Sequence, residues 1–253
     1  MNRAIGRAAF FVGALALGGC GSSGGLVGPP GPSTQSLLPS DDTFINSADP
    51  DNNNGASASL YVGVEGRGGV TRALLRFAMP AALQGATVTS VQLKLTLRAL
   101  GNGTAGSAST DRLEAVTETW AEGNGVGDAM MTFTVGQTCG NTVSGATWNQ
   151  PDCAAGTTTP WTAPGGSVAA TVSAKADTTN AAPDAPVLWD AAASGNRGMI
   201  TDVQRWIDDP TSNRGWRISS SDETTIATAQ RFYSAEADGT HGPALTIVYQ
   251  PRS

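Results

Sequence analysis

The sequence predicts an all-β protein, an antiparallel sandwich or barrel of many short strands with one short helix. Three observations carry that expectation. Glycine supplies 32 of 253 residues and charged residues only 14%, so the chain is rich in turn formers and poor in the Glu, Lys and Gln that favour helices. Thr and Val recur in short alternating runs, the period-2 pattern of half-buried strands. A single segment shows helical spacing.

Taken in order, residues 21–40 are Gly, Ser and Pro with almost no charge, a tether, and folded structure is expected to begin at residues 41–46. Residues 60–62 and 71–77 read as strands; in the second, Ala73, Leu75 and Phe77 share one face and Arg72, Leu74 and Arg76 the other. The strongest strand is 88–98, where Val91, Leu93, Leu95 and Leu97 alternate with Gln92, Lys94, Thr96 and Arg98. Residues 113–119, 131–135 and 167–172 follow as strands. Ile200, Val203, Trp206 and Ile207 recur at helical spacing, with Thr201 or a residue before it as the cap, Asp202 in the first turn and Pro210 blocking continuation. Residues 217–219, 231–234 and 244–250 complete the strands. Trp206 and Trp216 read as core, whereas Trp120, Trp148, Trp161 and Trp189 sit in polar, turn-rich surroundings.

The N-terminus carries Arg3 and Arg7, then an apolar run over residues 8–17. That run suits a secretory signal and is too short to cross a hydrocarbon core of roughly 30 Å. The stretch Leu17-Gly18-Gly19-Cys20 resembles the lipobox of bacterial lipoproteins. The resemblance implies cleavage before Cys20, lipidation of Cys20, and a lipid-anchored location in the cell envelope; Gly21 resembles the class sorted to the outer membrane. An ordinary signal peptide with an incidental cysteine is the competing reading. The expected organisation is a signal peptide over 1–19, a lipidated cysteine and tether over 20–40, and one β-sandwich domain over 41–253. A net charge of −6 with no basic run argues against nucleic acid as a partner. In an exported chain Cys139 and Cys153 most simply form a disulfide closing a short loop. A metal site is the weaker reading, since two cysteines and a single histidine fall short of four good ligands.

Several segments together resemble the DNRLRE-domain family, related to carbohydrate-binding module family 96. They are Asp42-Thr43-Phe44-Ile45, Asn54-Gly55, Leu60-Tyr61-Val62-Gly63, the arginine-flanked Arg72-Ala73-Leu74-Leu75-Arg76-Phe77, the ladder from Val91 to Leu97, Glu118-Thr119-Trp120, Gly145-Ala146-Thr147-Trp148-Asn149, the helix around Val203 to Trp206, Phe232-Tyr233-Ser234-Ala235-Glu236, and Pro243-Ala244-Leu245. The resemblance spans about residues 41–250 and departs from the family pattern over 121–193, where Gly/Ala/Thr-rich stretches and the cysteine pair look like loop insertions. It implies a jelly-roll-like sandwich that binds an extracellular polysaccharide without catalysing a reaction.

The candidate binding residues are weighed against plainer roles. Trp148 and Trp161, with Trp120, offer aromatic faces for pyranose rings, the alternative being that they plug loops onto the sandwich. Arg72 and Arg76 suit an anionic polysaccharide, or pair with acids on a neighbouring strand. Asp49, Asp51 and Asn53 place oxygens at alternate positions, as a structural calcium loop requires, although the same residues are ordinary turn formers. His241 is a lone loop histidine, and no G-x-S-x-G or H-E-x-x-H occurs. The expectation is a non-catalytic module, with a structural or adhesive surface domain for a protein or envelope partner as the runner-up.

Overall fold

The computed structural model describes residues 30–98, 110–127, 136–140, 142–154, 157–178 and 181–252. Cys20, the signal segment 1–19 and the expected strand 131–135 lie outside the described residues. In chain order the elements are β1 (Ser33–Leu37), β2 (Asp41–Asn46), β3 (Asn52–Asn53), β4 (Ser59–Val64), β5 (Val70–Arg76), β6 (Thr87–Thr96), β7 (Thr110–Val116), β8 (Gln137–Thr138), β9 (Val168–Asp177), β10 (Pro186–Asp190), α1 (Gly198–Asp208), β11 (Trp216–Ser220), β12 (Gln230–Tyr233) and β13 (Ala244–Gln250).

The strands form an antiparallel sandwich. The smaller sheet runs β1-β13-β6-β10. The larger runs β12-β4-β5-β11-β7-β9, with β2 along the other edge of β5. Alternation in β6, β10 and β13 sends Val91, Leu93, Leu95, Val187, Trp189, Leu245 and Ile247 inward. They meet Leu60, Val62, Ala73, Leu75, Leu113, Trp216, Ile218 and Phe232 from the larger sheet. A bridge from Leu97 to Phe232 joins the end of the smaller sheet to β12, with Arg98 N donating to Arg231 O at 2.7 Å.

The helix closes the core with Met199, Val203, Trp206 and Ile207. Its start differs from expectation. It begins at Gly198 with no side-chain cap, because that end lies against β9: a Cβ on Gly198 would come within 2.7 Å of Ser173 Cα. Asp202 lies beyond the first turn and is buried, where its Oδ2 accepts from Trp216 Nε1 at 2.9 Å and from the Ser173 hydroxyl. The Trp206 and Trp216 rings pack 4.5 Å apart above it.

Two further expectations are corrected. Residues 33–37 of the expected tether form β1, paired to β13 from Ser33↔Tyr249 to Leu37↔Leu245, so folded structure begins before residue 41. The strand escapes notice because its alternation is between small polar residues, and only Leu37 packs on the core. Trp189 belongs to β10 and is fully buried, its Nε1 donating to Asp111 O at 3.1 Å. Cys139 and Cys153 are disulfide-bonded, with Cα atoms 5.9 Å apart. Breaking that link is expected to destabilise the chain by about 3 kcal/mol, read as a fall of about 6–10 °C in melting temperature on adding reductant.

Candidate functional site

The outer face of the larger sheet carries a second apolar cluster, Ile45, Leu74, Val116, Trp120, Ala146 and Trp161, with Trp148 and Val168 packed against it. The segment between β7 and β9 supplies the cover, and three sheet arginines hold it down. Arg217 on β11 lies opposite Glu114 on β7 and donates to its Oε2 from Nη2 at 2.7 Å. Its Nη1 reaches Gly165 O at 3.1 Å and Gly166 O at 2.6 Å. Burial, with the nearby Arg72 charge, pulls the Arg217 guanidinium below its ordinary pKa. Arg72 makes a two-pronged pair with Glu223 at 2.8 and 2.7 Å, donates to Gly165 O at 2.8 Å, and lies 4.7 Å from the Trp148 ring. Arg76 pairs with Asp41 on β2 directly opposite, donates to Trp120 O at 3.2 Å and lies 5.0 Å from the Trp120 ring.

These contacts place the expected binding residues. Trp120 and Trp161 are each 2% exposed, and their indole N–H groups donate to Arg214 O and Thr147 O. Neither is an exposed platform; both plug the covering loop onto the sheet, the alternative weighed against sugar binding. Arg72 and Arg76 are paired with acids and serve the same cover. Trp148 remains half-buried at its rim. Gly165 has φ +82°, and a Cβ there would lie 2.4 Å from Arg72 Nη1 and 2.8 Å from the Trp148 ring, so the clamp requires glycine at this point.

The calcium-loop candidates are engaged by protein donors. Asp49 Oδ2 accepts from Arg67, and Asp51 Oδ1 accepts from Asn149 Nδ2 at 2.8 Å. Asn53 donates to Glu122 O at 2.8 Å and Ala146 O at 2.9 Å while accepting from Gly125 N at 2.8 Å. The loop braces the cover from below.

An aromatic edge that composition did not single out lies at the end of β12, the edge strand of the larger sheet. The Tyr233 and His241 rings stack with centroids 4.8 Å apart and planes at 26°. Arg98 lies 5.3 Å from the Tyr233 ring, fixed by Nη1 donating to Ala58 O and Ser59 Oγ at 2.9 Å. Tyr233 OH donates to Asp184 Oδ1 at 2.9 Å, and Asp184 stands in the left-handed region at φ 62°. That bond pushes the tyrosine pKa up. His241 Nδ1 lies 2.9 Å from Asp238 Oδ2, and the histidine side chain is 39% exposed. The His241 ring, with the backbone N–H groups of His241 and Thr240, holds the Asp238 carboxyl down at about 2. The edge thus combines an aromatic stack with fixed polar groups of both signs. Its members come from residues 98, 184, 233, 238 and 241, so no local motif announces it.

The cover is open to test through its buried pair. Arg217→Met leaves Glu114 uncompensated and is expected to cost about 3–5 kcal/mol, measured by denaturant unfolding. Arg217→Met with Glu114→Leu is expected to recover part of that loss.

Residues 33–129, from β1 through β7 into the start of the cover, match the family model of carbohydrate-binding module family 96. No curated protein matches the chain. The matched stretch is less than half of the chain, and its similarity supports a non-catalytic, carbohydrate-binding module.

Proposed function

We propose that this chain is a lipid-anchored envelope protein of DNRLRE type whose sandwich binds an extracellular polysaccharide, with the Tyr233–His241 edge receiving the sugar. The family match over residues 33–129 carries the reading. The choice of surface follows from burial. Trp120, Trp161, Trp189, Trp206 and Trp216 are all at most 2% exposed, so their faces are spent on packing. The edge at β12 keeps an aromatic pair, the Tyr233 ring and the His241 imidazole, beside two carboxylates and a guanidinium. That is the combination a pyranose needs: the exposed His241 ring, backed by Tyr233, beneath it and directional partners for its hydroxyls. The mixed charge there suits a largely neutral glycan. The membrane attachment rests on Cys20 in the lipobox-like stretch, and no helix among the described residues is long and apolar enough to cross a membrane.

Titration of the full chain against a panel of neutral and anionic glycans is expected to find a binder. Tyr233→Ala is expected to weaken that binding about tenfold or more, the equivalent of some 1.4 kcal/mol, while Trp148→Ala leaves it close to wild type. Absence of any binder at millimolar glycan would remove the reading; loss with Trp148→Ala and not Tyr233→Ala would move the surface to the rim of the cover. Cell fractionation tests the anchor: Cys20→Ala is expected to shift the protein out of the membrane fraction with an unchanged melting temperature.

A further inference from the structure

We propose that Asp42, Glu122 and Glu236 form a binding site for one calcium ion that ties β2, the covering loop and the segment after β12 together. The three residues lie far apart in sequence, yet each presents a carboxylate oxygen within 4.8 Å of the other two. Asp42 is 1% exposed, and its Oδ1 is buried with no hydrogen-bond donor. A sealed anionic oxygen with no donor, beside two further carboxylates, is a strong acceptor awaiting a positive partner.

The surrounding bonds hold the group in place. Glu122 Oε1 accepts from Asp42 N at 2.9 Å, and Asp42 Oδ2 accepts from Ala235 N at 2.8 Å. The Glu122 and Asp42 carboxylates are therefore each oriented by backbone belonging to, or next to, another member of the group, and Asp42 Oδ1 is left without a donor. Burial first, then the Glu236 charge and side-chain hydrogen bonding with Glu236, and last the Glu122 charge, push the Asp42 carboxyl well above its ordinary range. A shared proton could relieve one such contact, but a divalent ion reaches all three carboxylates at once.

The donor set selects the ion. Oxygen alone, without sulfur or imidazole, favours a hard cation over zinc or copper. Calcium–oxygen distances of about 2.3–2.6 Å let ligands on opposite sides of the ion stand about 4.6–5.2 Å apart, whereas magnesium at about 2.0–2.1 Å holds them within about 4.2 Å. All three oxygens lie within 4.8 Å of one another, inside the span that calcium bridges, and the reluctance of magnesium to shed its waters disfavours it in an all-protein cage. Glu122 and Glu236 are only half-buried, which gives the ion a way in. This assignment is independent of the glycan reading and moves the candidate calcium away from Asp49, Asp51 and Asn53.

The test uses the full chain stripped with chelator and titrated calorimetrically with calcium chloride at neutral pH, with thermal melts in parallel. The expected result is one calcium per chain and a rise in melting temperature of about 5 °C at about 5 mM calcium, with a smaller rise in magnesium. Glu122→Gln and Glu236→Gln are each expected to weaken calcium binding about tenfold or more, while Asp51→Asn binds as wild type. The two glutamine variants keep the half-buried positions polar, so the test does not depend on the folding of an Asp42 variant. Absence of binding to the stripped wild-type chain overturns the site. So does binding that survives both glutamine variants or is lost in Asp51→Asn, and an equal response to magnesium overturns the choice of ion.

Discussion

The layer outside the larger sheet depends on the guanidinium of Arg217. It sits between Glu114 on the neighbouring strand and two successive loop carbonyls, Gly165 O and Gly166 O. A segment without regular structure has backbone oxygens that no ladder can satisfy, and burying them unpaired would be prohibitive. Arginine answers this with five donors in a rigid fork. Arg217 and Arg72 both reach Gly165 O, and Arg76 reaches Trp120 O. Carboxylates on Glu114, Glu223 and Asp41 balance the three charges. The cover is thus hydrogen-bonded to the sheet through side chains where a strand would use its backbone.

This arrangement makes three layers, the two sheets of the sandwich and the cover. One apolar core lies between the sheets and a smaller one lies under the cover. The second core takes up Trp120 and Trp161 of the long loop, with Trp148 packed against it, and fixes the arginines. What remains available at the surface is set by that consumption, and it leaves the stacked pair at the end of β12 beside the bridge from Leu97 to Phe232.

Much of the fold was legible in the sequence, for a specific reason. In β6 the inward residues are large and apolar and the outward ones polar, and in β13 Leu245, Ile247 and Tyr249 recur at every second position, so the period of two appears in the letters themselves. The helix announced itself in the same way through Val203, Trp206 and Ile207. β1 did not, because Ser33, Thr34, Gln35 and Ser36 differ little in polarity. β10 did not because Pro186 and flanking turn residues hide Trp189. For Trp120 and Trp161 the sequence left platform and plug both open: polar neighbours in sequence describe a loop's composition, while burial depends on what the loop lies against. The arginine-flanked pattern of β5 was visible, but whether Arg72 and Arg76 meet a ligand or an acid depends on Glu223 and Asp41, which only the fold brings close. The carboxylates of Asp42, Glu122 and Glu236 share a centre without sharing a motif, so spacing could not reveal them.

β1 has a mechanical consequence. The chain ahead of Ser33 enters the sandwich through a strand held by five paired positions to β13. Any load on that lead-in is borne first by this edge ladder, and then passes from β13 into β6 at the middle of the smaller sheet. The stacked edge at β12 belongs to the opposite sheet. Tension between the lead-in and that edge therefore has a backbone route, along β6 to Leu97 and Arg98 and across to Phe232 and Arg231 of β12. The anchor end and the stacked edge are thus joined through hydrogen-bonded backbone as well as through the packed core.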